Sequence, residues 1–351
     1  MKKILYLTNI EVPYRVEFFN LLGKQCDLTV MYERRNSFNR DSSWASSVNK
    51  EFKCLYLDGK KIGNENSFSL KIISIIGQKW DLVIVGCYNS FVQILAMAMM
   101  KLKRIPYVIN LDGEPFLEKK IKTKIKALVL KSATAYLVAG ESAKKSLRKF
   151  VGKAKLIVPY YFSSLTTKEI ERNSSYSASR NECILVVGQY FDYKGMDIAL
   201  SAAKKDQTLR YKFVGMGKRT DLFKKDMKDI PSNVEIIPFL NKKELEYEYQ
   251  QCSMVVLPSR QECWGLVVNE AASFGTPIVS TWGSGAAMEF LVKDYSQYLA
   301  IPGNADSLLD CIKLCINNDN KCYSDYLKKI SFEYTIEKSV DAHLKLFDKV
   351  C

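Results

Sequence analysis

No stretch of this 351-residue chain is apolar for long enough to cross a bilayer. The best candidate, Phe91-Val-Gln-Ile-Leu-Ala-Met-Ala-Met-Met100, supplies about half of the roughly 20 residues required, and Lys101-Leu-Lys-Arg104 closes it. At the N-terminus, Lys2-Lys3 precedes only Ile4-Leu-Tyr-Leu7, too short for the core of a signal peptide. The expectation is a cytoplasmic protein, peripheral at most on the inner face of the cell membrane. Histidine is reduced to one residue, His343, read as structural on a terminal helix from about Thr335 to Val350. The ten cysteines are scattered, mostly in apolar runs, with no C-x-x-C pair, which agrees with a reducing compartment and with core packing. Cys311, Cys315 and Cys322 could share a helix face, but no fourth soft ligand is near, so no metal site is assigned. Zinc-finger spacing, an aromatic RNA-binding signature and a basic region joined to heptads are all missing, and nucleic acid is not an expected partner. A dinucleotide-dependent oxidoreductase would want G-x-G-x-x-G near the first strand; Gly215-Met-Gly217 lies far down the chain and has Thr220 at the third position.

What is present is a foldable α/β pattern. The length suits two domains with their own cores, and 47% apolar residues exclude disorder. Short apolar runs at Ile4–Leu7, Leu28–Met31, Leu82–Val85, Tyr107–Asn110 and Ala135–Val138 suit strands buried on both faces. Helical-period segments such as Glu141 to Phe150 separate them. A second series runs through Ile184, Tyr211–Val214, Val234–Ile237, Met254–Leu257 and Ile278–Ser280. Between the two, Ser163 to Glu182 is rich in Ser, Thr and Asn and reads as a linker or exposed loop.

The basic excess is one-sided. Residues 1–165 hold 28 Lys and Arg against 13 Asp and Glu, a net of +15, whereas residues 166–351 hold 24 against 25. In the run Lys119 to Lys131, Ile121, Ile125, Leu128 and Val129 recur at helical spacing opposite Lys119, Lys122, Lys124 and Lys126. That pattern suits an anionic membrane surface; a solvated helix packed on its own domain is the alternative.

The most informative residues are Glu262 and Glu270, eight positions apart in Glu262-Cys-Trp-Gly-Leu-Val-Val-Asn-Glu270. If a helix begins near Leu266, one carboxylate falls in a loop and the other about a turn into the helix. The N–H groups of Leu266 and Val267 could then face a diphosphate, with Gly265 allowing close approach. Glu262 could reach a sugar's hydroxyls, and Glu270 could accept from two ribose hydroxyls. An ordinary surface helix with acids near its start is the competing reading.

This segment resembles the donor-site signature of the family 4 glycosyltransferases, retaining enzymes of GT-B fold. The similarity extends to Ile184-Leu-Val-Val-Gly188-Gln-Tyr-Phe-Asp-Tyr-Lys194-Gly195-Met-Asp-Ile-Ala-Leu200, to Phe213–Gly217, to Asn233–Leu240 and to Met254–Ser259. Before residue 160 it rests on Asn9-Ile-Glu-Val-Pro13-Tyr-Arg15 and Val108-Ile-Asn-Leu-Asp112-Gly. The resemblance implies two Rossmann-like, doubly wound parallel-sheet domains facing a central cleft. On that reading residues 1–165 bind the acceptor, 166–334 bind the nucleotide sugar, and 335–351 cross back onto the first domain. It implies donor contacts from Gly188, Gln189, Lys194, Pro238, Phe239, Gly265, Leu266, Val267 and Glu270. Lys194 would neutralise the departing diphosphate; a solvent-exposed turn lysine is the alternative. Retention without a metal or other cofactor is implied, so no protein nucleophile is needed.

Two departures stand out. Gln189 occupies a position where many relatives carry Arg, so either Arg15 or another base substitutes, or diphosphate binding is weaker. The first-domain His of many relatives is absent too; Asp112 and Glu114, after the strand Tyr107–Asn110, are the nearest acidic substitutes, with a capped turn as the alternative. Arg15, in the first strand-to-helix loop, is equally ambiguous. The function expected is transfer of a hexose or N-acetylhexosamine from a nucleotide diphosphate sugar, uridine being the more frequent base, to a polyprenyl-diphosphate-linked or other glycan acceptor in surface-polysaccharide assembly. The alternative is a noncatalytic nucleotide-sugar-binding subunit.

Overall fold

The computed structural model describes residues 1–35, 49–62, 66–86, 88–113, 122–176 and 180–351. It divides into two compact units, Met1–Tyr161 with Ile336–Cys351, and Phe162–Thr335.

The first unit is built on β1 (Lys3–Thr8), β2 (Asp27–Tyr32), β3 (Lys53–Tyr56), β6 (Leu82–Val85), β7 (Tyr107–Leu111), β8 (Ala135–Ala139) and β9 (Leu156–Tyr160), with β4 (Lys60–Ile62) and β5 (Asn66–Phe68) as a separate antiparallel pair. The seven form one parallel sheet in the order β3-β2-β1-β6-β7-β8-β9. In the second unit, β10 (Cys183–Val187), β11 (Arg210–Val214), β12 (Val234–Ile237), β13 (Met254–Val256), β14 (Ile278–Thr281) and β15 (Leu299–Ala300) form a six-stranded parallel sheet in the order β12-β11-β10-β13-β14-β15. Helices flank both sheets, and β6, β7 and β8 are buried along their whole length. The α/β layering expected from the apolar runs, and the doubly wound parallel sheets that the resemblance implies, are therefore present in each unit.

The strands that periodicity does not reveal are edge strands. β3 is half-exposed, β9 contains Pro159, and β15 is two residues long. β3 and β9 are only partly buried, and Pro is tolerated where one side makes no ladder bonds; β15 is buried but too short to show a period.

Two expectations are corrected. Ser163 to Glu182 is not simply a linker: Thr167–Ser174 is a helix. Thr166 accepts from the Glu169 N–H while the Glu169 carboxylate accepts from the Thr166 N–H, a complete capping box, and Ile170 is fully buried. One apolar residue and a good cap thus outweigh a polar composition. Arg15 likewise lies in a helix, Pro13–Gly23, rather than in the loop before it. Pro13 carries the fixed φ of a first helical residue and starts the helix two positions before Arg15.

Helix Ile336–Val350 packs against Pro13–Gly23 and β9 within the first unit. On it His343 is 1% exposed, with Phe18, Tyr160, Phe347 and Tyr6 rings at 4.8, 5.3, 6.4 and 6.5 Å. Its Nδ1–H donates to the Ser339 carbonyl at 2.7 Å, which leaves Nε2 as a buried acceptor with no partner among the described residues. Burial above all, and the Arg15 charge as well, push its pKa down to about 4. A depressed pKa means the contribution to stability is complete above the ordinary value of 6.5 and is lost as pH falls from there toward 4. Over the full window the loss approaches ~3 kcal/mol. Urea unfolding of wild type and His343→Gln at pH 7, 5.5 and 4.5 checks this: the wild type should lose more stability on acidification than the variant, and equal slopes would contradict it.

Candidate functional site

In the second unit, β10 and β11 leave the sheet side by side, with the Gly188 N–H donating to the Val214 carbonyl at 2.9 Å. After Gly188 and Gln189 the chain makes a 3₁₀ turn, Asp192–Lys194, and enters helix Met196–Lys205 through Gly195 at φ 68°. A Cβ on Gly195 would lie 2.0 Å from the Pro258 carbonyl oxygen, so both the backbone angle and the space require glycine. That contact lays the Lys194 turn directly on the segment following β13.

The β13 segment runs Leu257 to Gly265 and opens helix Leu266–Ser273, where the sequence expects it. Gly265, at φ 103°, caps the helix; a Cβ there would meet Leu257 at 2.9 Å and Glu262 and Ser284 at 3.3 Å. Glu262 is held by its backbone, its N–H donating to the Gly283 carbonyl at 2.8 Å and its carbonyl accepting from the Gly285 N–H at 3.2 Å. Leu266 and Val267, first in the helix, have no carbonyl a turn back to bond, whereas the Val268 N–H donates to Gly265 at 2.9 Å. Trp264, 3% exposed, anchors the turn through its indole N–H to the Asn269 side chain at 2.9 Å.

The Lys194 ammonium forms a short ion pair with the Glu262 carboxylate, so Lys194 is not a solvent-exposed turn residue. Glu270 is a turn further along and partly buried; Ser164 Oγ and the Tyr249 hydroxyl each donate to its carboxylate at 2.9 Å. Burial raises the Glu270 pKa despite these two bonds and the positive Lys242. Pro238 and Phe239 follow β12, where the Pro238 carbonyl accepts from the Gly217 N–H at 2.7 Å and Phe239 is half-exposed. At this corner the Arg219 guanidinium stacks 3.9 Å from the Phe191 ring, and no carboxylate pairs with it among the described residues.

The first unit gathers a different set. Arg15, 7% exposed, pairs with Asp112, whose carboxylate also accepts from Asn110 at 3.1 Å and from the Tyr160 hydroxyl at 2.9 Å. These contacts tie Arg15 to its own unit. Glu114 lies outside the described residues, as do Lys119, Lys120 and Ile121. Helix Lys122–Lys131 is formed, but Val129, expected on the membrane-facing stripe, is instead buried at 3% exposure beside Leu130, while Leu128 is 57% exposed. The Tyr107 hydroxyl, which donates to the Val129 carbonyl, fixes that inward side. Cys311 and Cys315 are buried on helix Ala305–Asn317, and Cys322 is exposed on the next helix, Lys321–Ser331. The turn at Asn318–Asn320 separates them, so the three do not share one helix face.

Residues 167–329 match the family model described as glycosyl transferases group 1, a little under half of the chain. An uncharacterized glycosyltransferase of Haemophilus influenzae is 33% identical over 169 residues, 46% of this chain and 47% of that protein. The chain thus spans about half the length of that relative. An uncharacterized glycosyltransferase of Methanocaldococcus jannaschii is 25% identical over 280 residues, 76% of this chain and 75% of its own. The crystal structure of Anabaena HepE in complex with UDP superposes on 99% of this chain and 100% of its own with a TM-score of 0.74, at 15% identity. The fold is GT-B. Within this GT-B chain the matched segment lies inside the second unit, the one carrying Lys194, Glu262 and Glu270.

Sequence reading missed the residues that hold this candidate site together: Arg260 and Asp197, which form an ion pair, and Tyr249 and Ser164, which donate to Glu270. Arg260 stands two positions before Glu262 and Asp197 three after Lys194, but spacing does not reveal that they meet. Tyr249 and Ser164 approach Glu270 from elements remote in sequence. Because burial disfavours the Glu270 anion, its contribution to stability is present below the ordinary carboxylate pKa and is lost as pH rises through the raised value. Glu270→Gln should therefore melt at or above the wild-type temperature at pH 7 by scanning calorimetry, with the difference closing in acid. A lower melting temperature for the variant at pH 7 would mean the two hydroxyl bonds outweigh the desolvation.

Proposed function

We propose that this GT-B protein is a retaining glycosyltransferase that takes a hexose or N-acetylhexosamine from a nucleotide diphosphate sugar, with uridine as the base. The observation that carries this reading is the Lys194–Glu262 pair set beside the start of helix Leu266–Ser273, with Glu270 one turn on. Helix-start N–H groups and an ammonium are complementary to a diphosphate, and carboxylates to sugar and ribose hydroxyls. The UDP and UDP-glucose complexes of Anabaena HepE, a protein of the same fold, support the choice of donor.

Each group then has a task. An ammonium has three donors; Glu262 takes one and orients the others toward the phosphate oxygens. As the glycosidic bond breaks, negative charge grows on the diphosphate, and Lys194 with the Leu266 and Val267 N–H groups stabilises it more in the transition state than in the ground state. Glu262 orients the sugar and Glu270 the ribose. Attack by the acceptor hydroxyl on the face the diphosphate leaves would retain configuration without a protein nucleophile and without a divalent ion. Asp112, fixed by Arg15, Asn110 and Tyr160, would orient the acceptor on the first unit. The acceptor we propose is a glycan on polyprenyl diphosphate, in cell-surface polysaccharide assembly, reached from the inner face of the membrane through the basic first unit. Gln189 favours a second reading, a noncatalytic nucleotide-sugar-binding subunit, because it removes a charge from the diphosphate corner.

Lys194→Ala should lower kcat about 10²–10³-fold in an assay of donor consumption with chelator present, while KM changes less. Sustained wild-type turnover excludes the noncatalytic subunit, and dependence on added metal would contradict the metal-free reading. A nucleoside diphosphate at 100 times its Kd should add ~2.7 kcal/mol of stability to the wild type and nothing comparable to Glu270→Ala. For the membrane proposal, the protein should sediment with anionic vesicles at low salt and be released at high salt; failure to sediment would overturn it.

A further inference from the structure

The side chain that joins the two site loops is one the function above does not use. The Arg260 guanidinium donates to the Asp192 carbonyl at 2.6 Å and, as a fork, to the two Asp197 carboxylate oxygens at 2.8 and 2.5 Å. Asp192 begins the turn that ends in Lys194, and Asp197 lies in the first turn of the helix after it. Arg260 itself belongs to the segment that presents Glu262. Beside it the Gln261 N–H donates to the Tyr193 carbonyl at 3.1 Å, so the residue before Lys194 and the residue before Glu262 are also tied. A partly buried bidentate Arg–carboxylate pair is directional, unlike a point-charge contact, and fixes both loops against rotation as well as separation.

We propose that Arg260, with Asp197, is a positioning residue for the donor site, setting where the Lys194 ammonium stands relative to Glu262 and the helix start. The inference rests on the nucleotide-sugar reading of that site. Arg260 touches neither donor nor acceptor in this account; its influence passes entirely through Lys194. A residue that only stabilises the fold would weaken binding whether or not Lys194 were present, and this is the distinction the experiment uses.

The full chain is titrated calorimetrically with uridine, guanosine, adenosine and thymidine diphosphates, using wild type, Arg260→Ala, Asp197→Asn, Lys194→Ala and Arg260→Ala with Lys194→Ala. Arg260→Ala should weaken the bound diphosphate on the order of tenfold, part of what a charge-assisted phosphate contact contributes. Asp197→Asn, which keeps the side chain's size, should weaken it in the same direction. In the Lys194→Ala background the Arg260 substitution should have no further effect. A loss that persists in that background, or no loss from either single change, overturns the assignment while leaving the donor site intact. If the wild type binds none of the four, the donor reading itself fails and the positioning role with it.

Discussion

Everything at the proposed donor site depends on how closely two backbone segments approach. The turn ending at Gly195 lies on the Pro258 carbonyl with no room for a single methyl group, and Gly265 turns within the space left by Leu257, Glu262 and Ser284. Only because these approaches are so close can an ammonium from the β10 segment reach a carboxylate from the β13 segment and both stand beside a helix start. Glycine supplies the positive φ angles at both points. The ion pairs Lys194–Glu262 and Arg260–Asp197 then join segments that packing has already brought together.

The two units use charge differently. In the first, Arg15 and Asp112 are knit to Asn110 and Tyr160, with the Asp112 carboxylate accepting from the other three. His343 lies near it among aromatic rings, its Nε2 unpartnered among the described residues, so acid acts on this unit through burial of a neutral imidazole. In the second, Glu270 is a carboxylate whose burial raises its pKa even with two hydroxyl donors. A desolvated acceptor of this kind is costly for the fold and has most to gain from hydroxyl groups brought by a ligand.

Legibility in the sequence followed the length and apolar density of each run. The strands from Ile4 to Ile278 that are covered on both faces announced themselves as apolar runs, and the helix after Gly265 began where its glycine and apolar residues placed it. β3 and β9 were silent because solvent on one side of an edge strand removes the pattern that marks a strand, and β15, although buried, because it is only two residues long. Thr167–Ser174 was hidden by its polar composition, although the Thr166–Glu169 box is a local signal a closer reading finds. At the candidate site, Lys194, Glu262 and Glu270 stand in short motifs that draw attention in the sequence, but that Lys194 pairs with Glu262 is visible only in the fold. Arg260 meeting Asp197 was not legible, since it depends on β10 and β13 becoming neighbours on folding, and neither was Tyr249 meeting Glu270, since it depends on the helices Lys242–Gln251 and Leu266–Ser273 packing together.

The most direct test is a crystal structure of the protein with the nucleoside diphosphate that binds it. The account predicts the diphosphate on the Leu266 and Val267 N–H groups with the Lys194 ammonium against it, and the ribose hydroxyls on Glu270. A nucleotide bound with its phosphates away from that helix start, or with Glu270 turned from the ribose, would contradict the central claim.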